Sequence, residues 1–210
     1  MNDLDVTLFA RYGVATVYEA AGRAGLIDVP LTQIIPGSRV AGPARTVRCG
    51  QGDNLMVHAV LDTVQPGEVL VLTMPEPQPV ALVGELLATQ AKVHQAAALL
   101  IDASVRDVEE LQELGLPIWT RWIRVRGATK TKVGTINEPV VMGGATIAPG
   151  DIIVLDADGA AVVPIQQASY VLEASQARQQ KEAALRKKLE AGALSYDLHG
   201  LRAFVENQPG

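Results

Sequence analysis

The sequence predicts a single α/β domain, residues 1–164, followed by a helical C-terminal extension, residues 165–210. Three observations carry this. Apolar runs of strand character, such as Gly67–Thr73 and Leu99–Ser104, are interspersed with segments of helical period along one apolar core. From Glu138 to Pro164 short β-rich stretches are joined by the turn signals Pro149-Gly150-Asp151 and Asp158-Gly159. From Ile165 to about Ala191 the pattern is one long, strongly charged helix.

In chain order, Asp3–Ala21 is predicted helical, because Val6, Phe9, Tyr12, Val14, Val17 and Ala20 recur near the helical period. A break is expected at Gly13 and a stop at Gly22. Val40–Cys49 reads as a strand broken by Gly42-Pro43. Gly50–Asn54 is a turn, and a helix follows over Leu55–Val64, with Asp53 or Asn54 as its natural N-cap. Pro75, Pro77 and Pro79 make the stretch after the Gly67–Thr73 strand stiff and non-helical. The segment Ala81–Ala91 ends in a helix running to about His94. Gly84, near its start, permits close approach of a ligand to anion-binding backbone N–H groups. Glu85 is either a surface residue favoured by the helix dipole or a carboxylate of a metal shell.

The stretch Leu99–Asp107 is central. Leu99–Ile101 suits a strand covered on both faces, and Arg106-Asp107 stands where the strand must end. Groups just past the C-terminal end of such a strand face the crevice where α/β folds bind ligands. An arginine there can grip a carboxylate and an aspartate can hold a hard cation. The alternative for Asp107 is a cap on a helix over Val108–Leu114, with Glu110 completing a capping box. Pro117–Arg121 reads as a short strand. The basic stretch Arg121, Arg124, Arg126, Lys130 and Lys132 reads as a solvated face, with an anion-binding rim as the second reading. Asp151, Asp156 and Asp158 are assigned to turns, since the glutamate that closes a calcium loop is missing. In the long helix, Ala168, Val171, Leu172, Ala177, Ala184 and Leu185 form only a thin stripe, so it is expected to project or to pack on another subunit. Gly192 ends it, and Leu198, Leu201, Phe204 and Val205 equip the tail to dock as a short helix.

Composition narrows the function. A formal net charge of -5 argues against a nucleic-acid partner, which needs clustered lysine and arginine. No apolar run approaches a membrane span, and the acidic start Met1–Asp5 lacks a signal-peptide pattern, so a cytoplasmic location is expected. The single cysteine, Cys49, excludes an intrachain disulfide framework and reads as a small hydrophobe in a strand.

Gly84-Glu85-Leu86-Leu87-Ala88-Thr89, the triplet Val105-Arg106-Asp107, and Gly143-Gly144 through Pro149-Gly150-Asp151 to Pro164 together resemble the RraA-like family. The resemblance spans Asn54 to Glu190. It implies an α/β/β sandwich assembled as trimers or hexamers with sites between subunits. It also implies a divalent-metal pyruvate aldolase acting on 4-hydroxy-4-methyl-2-oxoglutarate or 4-carboxy-4-hydroxy-2-oxoadipate, with Mg²⁺ or Mn²⁺ as cofactor. Carried over by position, Asp107 is the direct metal ligand and Arg106 contacts the pyruvoyl group. Glu85 stands where an aspartate usually holds the metal through water, and Asn54 is a substrate-side asparagine. The Gly84–Leu87 backbone, with Leu86 between, holds the substrate carboxylate. Glu182 reaches the metal shell of a neighbouring subunit through water. Two departures are Glu85 itself and Ala103, where glycine is common after the strand-end aspartate. Arg106 and Glu85 then form the catalytic pair: the guanidinium stabilises developing enolate charge and a Glu85-held water shuttles the proton. Oxaloacetate decarboxylation passes through the same enolate and is expected as a side activity. The same resemblance allows a non-catalytic regulator that binds a ribonuclease, or a dedicated oxaloacetate decarboxylase. The shorter regulators lack the Ile165–Ala191 helix, which favours the aldolase.

Overall fold

The computed structural model describes residues 5–206. After a 3-10 turn at Val6–Leu8 come α1 (Phe9–Tyr12) and α2 (Val14–Ala20), then β1 (Thr32–Gln33), β2 (Val40–Arg48), α3 (Leu55–Val60) and β3 (Val69–Thr73). β4 (Ala81–Val83), α4 (Glu85–Val93), β5 (Ala98–Val105), α5 (Val108–Leu114) and β6 (Ile118–Ile123) follow. The chain continues through β7 (Thr135–Ile136), β8 (Val140–Met142), β9 (Ala145–Ile147), β10 (Ile152–Asp156) and β11 (Gly159–Val163) to α6 (Ala168–Glu190), α7 (Ser195–Leu198) and α8 (Arg202–Glu206).

A nine-stranded sheet runs in the order β1-β6-β5-β3-β2-β10-β11, with β4 beside β5 and β7 beside β2. β2, β3, β5 and β6 are parallel, β4 is parallel to β5, and β10 returns antiparallel to β2. The period of two along each strand sorts side chains into separate cores. Leu70, Leu72, Leu99 and Ile101 point to one face, under Val57 and Val60 of α3, Ala88 and Ala91 of α4, and Leu111 of α5. Val69, Val71, Leu100 and Trp119 point to the other, against the β8–β9 hairpin and Ile153 and Leu155 of β10. Ile152 and Val154, the alternate residues of β10, meet Phe9, Val14, Val17, Ala168 and Val171 in a third core. The layering is the α/β/β sandwich of the sequence reading, with α1, α2 and the root of α6 covering the outer sheet face.

The break at Gly13 is present, with φ 82°; Asp3 and Leu4 lie outside the described residues. β2 is not broken at Gly42-Pro43. Ala44 N–H donates to Asp151 O at 2.7 Å, so the N–H that Pro43 lacks would point the other way, where pairing with β3 begins only at Ala44. α3 stops at Val60, four residues short of the prediction. Arg121 is not part of a solvated face: it donates to the buried Asp102 at 3.1 Å and stacks on Trp122. Asp151 accepts from Ala148 N–H and Asp156 from Asp158 N–H, the turn chemistry expected of them, but Asp151 also accepts from Ile165 N–H and Asp156 from Val14 N–H, bonds that tie distant segments together. α6 buries Ala168, Val171 and Ser175 and nothing beyond. The tail forms two short helices, and neither docks: Leu198, Leu201, Phe204 and Val205 are all exposed within this chain. Among the described residues no helix is long and apolar enough to cross a membrane.

Candidate active site

Two adjacent parallel strands end together and create the site. Val83 of β4 pairs with Val105 of β5, and Arg106 N–H donates to Val83 O at 3.2 Å. The chain then enters α4 from one strand and α5 from the other, so the start of α4 faces Arg106 and Asp107. Asp107 adopts φ 60°, ψ 50°, a left-handed conformation that costs an ordinary residue roughly 1–2 kcal/mol and that aspartate tolerates better than most. Its carboxylate makes no cap to its own helix. Instead Oδ2 accepts the Glu85 N–H at 3.1 Å, so Asp107 closes the N-terminus of the neighbouring α4. Arg106 Nε lies 3.6 Å from the same oxygen. Gly84 makes this crowding possible: a Cβ there would overlap Asp107 Oδ2 and press on Arg106 Cγ and Nε. Its φ of -130° is open to any residue, so space, not backbone conformation, requires the glycine.

These groups open on a cavity of about 270 Å³. α3 and the residue before it contribute Asn54 and His58; Ala81 and Leu82 come from β4; Leu86, Leu87 and Gln90 come from α4. Gly127, Ala128 and Lys130 close it from the loop after β6. Asn54 Nδ2 donates to Leu82 O at 2.9 Å, while its buried Oδ1 has no partner among the described residues. A buried acceptor left unpaired costs about 1–3 kcal/mol, which a ligand hydroxyl or a water would relieve.

Asn54 is the N-cap residue of α3 but makes no side-chain capping bond; Asp53 before it accepts Leu55 N–H at 2.8 Å instead. Asp53 also accepts Thr129 Oγ1–H and Thr131 N–H, each at 2.6 Å, and Lys132 N–H at 3.1 Å. Burial alone would raise this carboxyl; the hydrogen bonds from Thr129, Thr131, Leu55 and Lys132 outweigh it and hold Asp53 well below the usual carboxylate range. The wholly buried Asp53 thus staples the Gly127–Lys132 segment to the start of α3. Burial, reinforced by the Asp53 charge and opposed by a hydrogen bond from Val57, pushes the Cys49 thiol up to about 12. Cys49 is an inert core residue and not a nucleophile.

Of the predicted site residues, Asn54, Gly84, Leu86, Leu87, Arg106 and Asp107 line this one cavity. Glu85 contributes its N–H, but its carboxylate turns back along α4 to accept Thr89 Oγ1–H at 2.9 Å and is not in the lining. Glu182 pairs with Arg178 of its own helix at 2.8 Å and does not line the cavity of its own chain. The sequence reading does not single out His58 and Gln90, and it places Lys130 on a solvated face with an anion-binding rim as the second reading; the place of Lys130 in the lining is that of the rim. Helical spacing held a signal for the first two: His58 is four residues after Asn54, and Gln90 four after Leu86. Among the described residues no three His, Cys, Asp or Glu side chains cluster as a ready-made cation cage.

Residues 14–162 match the family model of RraA-like proteins, described as Aldolase/RraA. This chain belongs to the RraA-like family. A relative from Halalkalibacterium halodurans, named "Putative 4-hydroxy-4-methyl-2-oxoglutarate aldolase", is 34% identical over 168 residues, 80% of this chain and 78% of that protein. Streptomyces coelicolor RraAS2, described as an unusual member of the RNase ES inhibitor RraA protein family, superposes with TM-score 0.78 at 29% identity, covering 90% of this chain and 100% of its own. The RNA-processing inhibitor RraA from Thermus thermophilis gives TM-score 0.60 at 27% identity over 67% and 83% of the two chains. The RraAS2 match is longer than residues 1–164 can account for, so it includes part of the C-terminal extension.

Proposed function

We propose that this RraA-like protein is a divalent-metal-dependent pyruvate aldolase of the cytoplasm. It cleaves 4-hydroxy-4-methyl-2-oxoglutarate or 4-carboxy-4-hydroxy-2-oxoadipate to pyruvate and a second 2-oxo acid, and decarboxylates oxaloacetate on the side. The observation that carries the reading is the Arg106–Asp107 pair at the mouth of a cavity backed by the N-terminus of α4.

The residues suit a hydrated Mg²⁺ or Mn²⁺. One Asp107 oxygen is taken by the Glu85 N–H and the other makes no hydrogen bond among the described residues, leaving a hard donor for an ion. Such ions keep several waters and take one or two protein carboxylates plus substrate oxygens, so a single direct ligand is enough. Glu85 and, from a neighbouring protomer in a homotrimer or hexamer, Glu182 would act through water. When bound, the ion supplies Lewis-acid polarisation of the substrate keto oxygen. The chain's own groups do the rest. The N–H groups of Leu86 and Leu87, in the first turn of α4 where no carbonyl of the helix can reach them, receive the substrate carboxylate. Asn54 Oδ1 receives the substrate's 4-hydroxyl on binding and gives it up when that proton moves to water. Arg106 stabilises the negative charge left on pyruvate oxygen as the C3–C4 bond breaks. A water held by Glu85, once it leaves Thr89, takes the 4-hydroxyl proton and returns one to C3. No lysine need form a Schiff base.

A lactate-dehydrogenase-coupled assay over a panel of 4-hydroxy-2-oxo acids and oxaloacetate tests this. Pyruvate release should vanish with EDTA, return with Mg²⁺ or Mn²⁺, and survive borohydride with pyruvate. Borohydride inactivation with EDTA resistance would refute it. The two solved relatives named for RNase or RNA-processing inhibition support a second reading, a ribonuclease-binding regulator. The C-terminal helix does not separate the two readings, since RraAS2 matches into it. Tight capture of a ribonuclease without metal-dependent lyase activity would decide for the regulator.

A further inference from the structure

β5 and β6 start in simple register, Leu99 opposite Ile118 and Ile101 opposite Thr120. Three residues on, Ser104 stands opposite Trp122, which is only two residues on in β6. β5 therefore carries one extra residue within Asp102-Ala103, a bulge directly ahead of Arg106 and Asp107. Without it Val105 would pair with Arg124; with it Val105 pairs with Ile123. One residue of slip is about 3.3 Å. That slip sets the end of β5, which bears Arg106 and Asp107, against the outlet of β6, which leads to Gly127, Ala128 and Lys130. The two walls of the cavity are thus phased by the bulge.

Two contacts, one buried and one half-buried, hold the extra residue in place. Thr120, wholly buried, donates its hydroxyl to Ala103 O at 2.8 Å, filling the acceptor that the interrupted ladder leaves open. Arg121 donates to Asp102 Oδ1 at 3.1 Å and is itself stacked on Trp122 at 4.5 Å. Both lie outside the cavity lining.

We propose that Thr120, Arg121 and Asp102 are positioning residues, a clamp on the β5 bulge that aims Arg106 and Asp107 at the substrate and its ion. The role rests on the aldolase reading for its catalytic consequence but not for its structural one. The test compares wild type, Thr120→Val, Thr120→Ser and Arg121→Met. Oxaloacetate turnover with Mn²⁺ gives kcat and KM, and amide exchange is followed at Glu85 and Arg106, whose N–H groups bond Asp107 and Val83. Misplacement of a reacting group by an ångström costs on the order of 100-fold. Thr120→Val should therefore lose kcat by about that factor with KM changed far less. Its Glu85 and Arg106 amides should exchange faster while the Leu70–Leu72 amides keep their protection. Thr120→Ser, which restores the donor, should recover both, and Arg121→Met should follow Thr120→Val. Wild-type exchange at Glu85 and Arg106 in Thr120→Val overturns the clamp, whatever the protein catalyses. Equal loss of protection everywhere overturns it too, by showing mere destabilisation. A wild-type protein without turnover contradicts the aldolase reading and leaves the exchange result to decide the clamp.

Discussion

Replacing Gly84 by alanine separates the site from the fold that carries it. Alanine is relaxed at φ -130°, so the backbone pays nothing. The new Cβ would overlap Asp107 Oδ2, and the carboxylate must retreat by about 1 Å to restore van der Waals separation. That movement breaks the Glu85 N–H bond to Asp107 and pushes against Arg106 Cγ and Nε. A displacement of that size is worth about 100-fold in rate, roughly 2.7 kcal/mol of transition-state stabilisation. Stability should change by less than about 1 kcal/mol, because the loss of one half-exposed hydrogen bond is offset by the reduced entropy of the unfolded chain. The assay is kcat/KM for pyruvate release with saturating Mn²⁺, alongside a circular-dichroism melt. A Gly84→Ala protein within threefold of wild-type kcat/KM would refute the argument that Asp107 and Arg106 work in the crowded geometry seen here.

Asp53→Asn should destabilise the protein by roughly 2–4 kcal/mol at neutral pH, since a buried carboxylate loses charge-assisted bonds to four donors. Because the folded-state pKa of Asp53 is depressed, its contribution is present above the unfolded value near 4 and is lost as pH falls below it; denaturant melts from pH 7 to pH 2 should lose that component in the variant, and an unchanged profile would contradict it. Cys49, buried and with its thiol pushed up to about 12, should resist an aromatic disulfide reagent at pH 8 until the protein is unfolded in guanidinium; rapid native-state labelling would contradict the burial.

The central strands were legible because apolar runs such as Leu99–Ile101 must be covered on both faces, and α5 emerged with the bounds its pattern predicted, whereas the short strands β1, β4 and β7 carry too few residues to show a pattern. What the sequence hid was long-range. Pro43 looked like a break because the one-sided pairing that tolerates it depends on β10, more than a hundred residues away. Asp107 reads as a site residue or, alternatively, as a local cap, and nothing in its own segment reveals that the N-terminus of α4 lies beside it. The extra residue in β5 shows only when β6 is laid against it. Asn54 illustrates the converse: it stands at the N-cap position as the sequence suggests, but Asp53 supplies the side-chain acceptor for Leu55 N–H, and the asparagine is free to turn its amide to Leu82. The tail's apolar residues suit a docking helix, yet a pattern of Leu198, Leu201 and Phe204 does not say which surface receives them, and all three are exposed within this chain.

The most direct measurement is a crystal soaked with Mn²⁺ and oxalate, an unreactive stand-in for the pyruvate enolate, with anomalous data collected on wild type and on Asp107→Ala. A manganese peak at coordination distance from the Asp107 carboxylate, with oxalate between it and Arg106 and no peak in the variant, is the predicted result. A wild-type crystal with manganese bound elsewhere, or the same peak in Asp107→Ala, would contradict the account.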